Sequence, residues 1–77
     1  MAMNPIAPYR MPGRSDLPAA AVSWRPDPER AVVLVHDMQR YFLRPFPAGR
    51  SPLTELVANV TKLLAAARSV GVPVLYT

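Results

Sequence analysis

A chain of 77 residues is large enough for one small domain, which would bury only about 60% of its unfolded surface. With 51% hydrophobic and 18% charged residues the composition is that of a globular rather than a disordered chain. The absence of cysteine excludes disulfides, zinc–thiolate sites and a cysteine nucleophile within these residues. The net charge of +4 comes largely from arginines scattered between Arg10 and Arg68, beside a single Lys62. They form neither a run nor a patch interleaved with stacking aromatics, so nucleic acid is not expected as a partner. A solvated surface accounts for them, or one or two serve an anionic small molecule.

The N-terminal stretch "MAMNPIAPYRMPGR" has no apolar run of the signal-peptide kind, and no segment approaches membrane-spanning length. The expectation is a soluble, cytoplasmic protein with no membrane partner. Pro5, Pro8, Pro12, Pro18, Pro26 and Pro28 crowd the first part of the chain. Proline fixes φ and removes a backbone donor, so this part is neither a regular helix nor an interior strand. It still carries Ile6, Tyr9, Met11, Leu17, Val22 and Trp24. Residues 1–29 are therefore expected to form an extended N-terminal arm that inserts apolar side chains into a folded body, with room for a short helical turn near 18–22.

Residues 31–36 begin the body. Val32, Val33, Leu34 and Val35 are continuously apolar, which predicts a strand buried on both faces, the habit of a central parallel strand. Next comes "SPLTELVANVTKLLAAARSVGVPV", which predicts one helix over 52–69. Ser51 stands where a cap belongs, and Pro52 at the first helical position. Leu53, Leu56, Val57, Val60, Leu63, Leu64 and Ala67 recur at three- and four-residue spacing and make one apolar stripe. Gly71 supplies a left-handed stop and Pro73 prevents continuation. Residues 72–76 then read as a second apolar strand.

Strand, helix, strand implies an α/β fold with parallel strands joined by a right-handed crossover. Residues 30–77 are thus expected to be the strand–helix–strand portion of an incomplete domain. Two parallel strands and one helix leave strand edges unpaired and an apolar face bare, so these residues alone are expected to be aggregation-prone or only partly folded, and the complete protein to associate. Parallel strands also bring Asp37 and Thr77 to the carboxyl edge of the sheet, where open α/β sheets bind ligands.

Asp37 is the leading candidate for catalysis. An Asp after a strand commonly serves a turn through Asx bonds. Against that stands its place directly after an apolar strand, where partial desolvation favours the neutral acid and suits a carboxyl to general acid or base work. Gln39 is a candidate substrate contact beside it. Tyr41 and Phe42 could wall a pocket, with Phe42 the candidate substrate contact, although aromatics mainly supply buried area. Strand alternation points His36 away from Asp37. It reads as a packed or hydrogen-bonded histidine before it reads as a catalytic one. No second histidine or paired carboxylate lies nearby, so no metal and no cofactor are expected from this segment.

At "RAVVLVHDMQRYFLRPFP" the sequence resembles the isochorismatase family, part of the α/β superfamily that also holds nicotinamidases. The pattern Asp37-Met38-Gln39-Arg40-Tyr41-Phe42 is similar to one shared across that superfamily. His36 before it, and "YFLRPFP" within it, resemble the vinyl-ether-cleaving branch. "PYRMPGRSDLPAAAVSW" resembles the family's N-terminal arm, and "SPLTELVANVTKLLAAARSVGVPVLYT" its first helix and second strand. The resemblance implies the N-terminal portion of a Rossmann-like parallel-sheet hydrolase that is a homodimer when complete. It implies a small anionic substrate, isochorismate or 2-amino-2-deoxyisochorismate, in siderophore or phenazine biosynthesis. It further implies that Asp37 protonates the enolpyruvyl methylene, after which water adds and pyruvate is released. The family's lysine, from a later strand end, has no counterpart here, and Lys62, mid-helix, is not a substitute. The family's glutamine and arginine for substrate carboxylates also come after "YT", so these residues are expected to lack a complete active site. Two other readings stand beside this one: a cysteine-dependent, nicotinamidase-like amidohydrolase in which Asp37 is a base, and a non-catalytic fragment or interaction module.

Overall fold

The computed structural model describes residues 4–77; the first three residues of the expected arm lie outside the described residues. The regular elements are strand β1 (Val33–Val35), a one-turn helix α1 (Arg40–Leu43), helix α2 (Leu53–Ser69) and strand β2 (Val74–Tyr76). β1 and β2 pair in parallel, with Val33 opposite Val74, Leu34 opposite Leu75 and Val35 opposite Tyr76. The ladder runs one bond further at each end, from Val33 N–H to Pro73 O at 2.9 Å and from Thr77 N–H to Val35 O at 3.0 Å. The expected parallel α/β arrangement is therefore present, with both strands shorter than the apolar runs that encode them.

Helix α2 stops where Gly71 places it. Gly71 adopts φ 78°, a conformation that costs an L-residue with a side chain about 1–2 kcal/mol. This lets the Gly71 N–H bond Arg68 O at 3.2 Å and the Val72 N–H bond Ala67 O at 2.9 Å. That pair of bonds is a Schellman motif, which tends to bring apolar residues on either side of the stop together. Ala67 and Val72 are those residues here, exposed by only 6% and 8%. The small core thus sits at the turn from α2 into β2.

The other end of α2 differs from expectation. The helix begins at Leu53, with Pro52 in the cap position and no side-chain cap bond. The Ser51 hydroxyl is engaged elsewhere: it donates to the Glu55 carboxylate and accepts the Met11 N–H at 3.3 Å. The Thr54 hydroxyl also bonds Glu55. Hydrogen bonds from Ser51, and then from Thr54, hold the Glu55 carboxyl below its usual range.

Residues 4–32 contain no regular element beyond a 3-10 turn at Arg14–Asp16. Ile6 N–H bonds Pro45 O at 2.8 Å and Tyr9 N–H bonds Ser51 O at 3.1 Å. No helical turn forms at 18–22. The turn lies earlier because the Asp16 carboxylate accepts the Gly13 N–H at 2.7 Å, while Pro18 holds Leu17 extended at ψ 139°. Of the six apolar side chains expected to insert, Ile6 and Met11 are half-buried; Tyr9, Leu17, Val22 and Trp24 are exposed. One helix and two strands offer too little surface to receive them.

The same shortage corrects the expectation that β1 is buried on both faces. Val33 and Val35 are half-buried on one face, whereas Leu34 is exposed on the other together with its register partner Leu75. The continuous apolar run is written for a covered sheet, and α2 supplies one cover.

Two outcomes follow from these ends of α2. Gly71→Ala meets no atom within 4 Å of the added carbon, so its cost is that of the backbone alone, about 1–2 kcal/mol, read as a lowered denaturation midpoint. Ser51→Ala removes the first cause of the lowered Glu55 titration, so the Glu55 carboxyl is expected to titrate at higher pH when followed by NMR. Because the folded-state value is the lower one, Glu55's contribution to stability is complete above the unfolded glutamate's titration. It is lost as pH falls through the folded-state value, and Ser51→Ala shrinks that acid-side loss.

Candidate functional site

The parallel register decides which side chains meet at the carboxyl edge. With Val35 opposite Tyr76, the next pair across the sheet is His36 and Thr77. Their side chains touch, with His36 Nδ1 and Thr77 Oγ1 2.8 Å apart. Strand β1 then ends abruptly, because Asp37 takes a positive φ of 55°. Aspartate is one of the few residues with a side chain that enters this region readily.

This turn overturns the expectation that His36 faces away from Asp37. Alternation holds only while the chain stays extended. The left-handed residue brings the carboxylate back toward the imidazole, with His36 Nε2 3.1 Å from Asp37 Oδ2. Gln39 closes the loop by donating from Nε2 to Thr77 O at 3.1 Å. Asp37, His36, Gln39 and Thr77 are thereby gathered at one strand edge. The parallel-strand reading placed Thr77 at this edge with Asp37; its contact with His36 is what the register adds.

Asp37 remains open to solvent, its side chain 49% exposed. The neighbouring strand, with Leu75 and Tyr76 themselves exposed, does not enclose the carboxylate. Phe42 lies in α1, with its N–H on Gln39 O at 3.0 Å. Its ring meets Tyr41 edge-on, with centroids 5.2 Å apart and planes at 85°. It is half-exposed at 41%. Beneath the edge, Val35, His36, Met38, Val60, Leu63 and Leu64 help line an apolar depression of about 240 Å³. Lys62 stands on the exposed side of α2.

An aspartate fixed by a left-handed turn at the carboxyl end of a parallel strand, with an amide and an imidazole beside it, can donate or accept a proton at a bound ligand. Residues 31–77, which contain all of these groups, match the model of the isochorismatase domain family. The chain belongs to this family. It is 56% identical over 77 residues to an isochorismatase of Bacillus subtilis, covering all of this chain and 25% of that protein. It is 51% identical over 72 residues to the phenazine biosynthesis protein PhzD of Pseudomonas fluorescens, covering 94% of this chain and 34% of that protein. Enterobactin synthase component B of Escherichia coli is 32% identical over 77 residues, covering 100% of this chain and 27% of its own length. The chain thus spans between a quarter and a third of the length of these relatives. Among the described residues no helix is long and apolar enough to cross a membrane.

Gln39 is the tie that the site's loop depends on. Gln39→Ala is expected to loosen the loop by about 1 kcal/mol, the usual net worth of one hydrogen bond. Amide exchange at Thr77, whose N–H reaches back to β1, is the measurement, and it should quicken.

Proposed function

We propose that these residues are the N-terminal portion of an isochorismatase-type hydrolase that cleaves the enolpyruvyl ether of isochorismate or 2-amino-2-deoxyisochorismate and releases pyruvate. Residues 1–29 serve it as an arm, and residues 30–77 supply the first strand–helix–strand unit of its domain. The observation that carries the reading is Asp37. It sits at the carboxyl end of a parallel strand, inside the stretch that matches the isochorismatase domain. The names of the relatives, an isochorismatase and proteins of phenazine and enterobactin synthesis, support a vinyl ether rather than an amide as the substrate bond.

In this reading Asp37 is the general acid. Its O–H bond breaks as a C–H bond forms at the enolpyruvyl methylene, using the π electrons of the vinyl ether. Positive charge collects on the adjoining carbon and ether oxygen, and Asp37 is left as the carboxylate. Water adds to the oxocarbenium ion and returns a proton to Asp37. The hemiketal then collapses to pyruvate and the dihydroaromatic acid, its hydroxyl proton passing to the leaving oxygen. Gln39 and Phe42 contact the substrate, Gln39 through its amide and Phe42 through the exposed part of its ring. The solvent-exposed Asp37 needs a wall on its open side, and chain of the relatives' length provides it. A substrate carrying carboxylates suits a protein with net charge +4. The complete enzyme works as a homodimer in the cytoplasm.

The test is Asp37→Asn in the complete protein. Asn keeps the shape of the side chain and enters the left-handed region as readily as Asp, but it has no proton to give to carbon. Pyruvate release is expected to fall at least about 10²-fold, the lower range for general acid catalysis. The loss should appear in kcat, with binding of the intact substrate by calorimetry nearly unchanged. Pyruvate release near the wild-type rate would remove Asp37 from the chemistry.

A further inference from the structure

We infer that His36 and Thr77 form a two-step hydrogen-bonded relay that orients Asp37, with Thr77 donating to His36 Nδ1 and His36 Nε2–H donating to Asp37 Oδ2. The inference rests on the reading of Asp37 as proton donor and adds two positioning residues to it. Three observations carry it. The imidazole meets both neighbours at once, hydrogen-bonded to Thr77 Oγ1 at 2.8 Å and in ion-pair contact with Asp37, Nε2 to Oδ2, at 3.1 Å. The contact to Thr77 is fixed by the sheet, because the Thr77 N–H also bonds Val35 O at 3.0 Å and the Gln39 amide holds Thr77 O. The contact to Asp37 is fixed by the turn, because φ 55° at Asp37 is what brings its carboxylate to the ring.

The direction of the relay follows from donor and acceptor chemistry. A neutral imidazole has one N–H and one lone-pair nitrogen, and its partners decide which is which. The Thr77 hydroxyl can donate or accept, whereas the Asp37 carboxylate that remains after proton transfer can only accept. The tautomer with hydrogen on Nε2 satisfies both partners. In it, Nε2–H binds one carboxyl oxygen, Oδ2, and leaves the other to carry the proton for the substrate. The bond strengthens as Asp37 becomes an anion, since hydrogen bonds to charged acceptors are shorter and stronger than neutral ones. It is therefore worth more in the transition state than in the ground state, which is the condition for accelerating a reaction. The proton for the substrate comes from Asp37 and returns to it from water; His36 and Thr77 keep theirs.

The experiment compares His36→Asn, Thr77→Val and Thr77→Ser with wild type and Asp37→Asn in the complete protein. Asn at position 36 retains an amide toward Thr77 but is too short to reach Asp37. Val at position 77 keeps the shape and removes the hydroxyl, and Ser restores it. His36→Asn and Thr77→Val are expected to lose about tenfold in kcat, the worth of one hydrogen bond to a charged group, with KM within about twofold. Thr77→Ser is expected to recover kcat. Nitrogen-15 NMR of the wild-type imidazole should show hydrogen on Nε2, and Thr77→Val should mix the tautomers. If His36→Asn does not fold, the Val–Ser pair and the tautomer decide the matter. Full kcat in Thr77→Val, equal losses in Val and Ser, or hydrogen on Nδ1 in wild type would overturn the relay. An active Asp37→Asn would instead overturn the proton-donor reading on which the relay rests.

Discussion

The parallel pairing of β1 with β2, held in one register, is the constraint from which the remaining organisation follows. A parallel pair cannot be closed by a tight hairpin; it needs a crossover, and α2 is that crossover. Register partners share a face of the sheet. The pairing therefore fixes at once which apolar side chains meet α2 and which polar side chains meet beyond the strand ends. Val33, Val35 and Val74 go to the covered face. His36 and Thr77 become neighbours although 41 positions separate them in sequence. A slip of one residue would exchange the covered and bare faces and part His36 from Thr77.

Two left-handed residues translate this pairing into a functional shape. Gly71 stops α2 so that Val72 can close onto Ala67 and start β2 in step with β1. Asp37 does the opposite job at the far end, ending β1 and folding its own carboxylate back onto the preceding side chain. The first position is occupied by the residue for which φ above zero has no steric cost. The second is occupied by a residue for which it is tolerable, and whose carboxyl is the proposed proton donor. The backbone irregularity and the candidate chemistry are thus the same residue, which is where strained conformations tend to gather.

Much of this organisation is legible in the amino-acid sequence. The apolar runs mark both strands and their parallel sense, and the three- and four-residue spacing marks α2 to within a residue. Gly71 marks its end. Asp37 stands out as a candidate because an acid after an apolar strand is conspicuous. Its contact with His36 does not, because strand alternation presumes a chain that stays extended, and a single φ of 55° breaks it. The Ser51 cap is absent for a related reason: a hydroxyl has several acceptors within reach, and Glu55, in the first turn of the helix, takes it. The double burial of β1 is absent because an apolar run records the surroundings a strand is made for, and within these residues one face has no cover. The exposed Trp24 and Leu75 belong to the same account.

The stretch that matches the isochorismatase domain includes residue 37, and the sheet edge sets its carboxyl beside His36, which is why it is the proposed proton donor. The most direct measurement is a crystal structure of the complete Asp37→Asn protein with unreacted isochorismate bound. The account predicts the enolpyruvyl methylene within about 3–3.5 Å of the residue-37 amide, the separation of a reacting pair, with His36 still between Thr77 and that side chain. A substrate bound elsewhere, or with its methylene turned away from the end of β1, would contradict it.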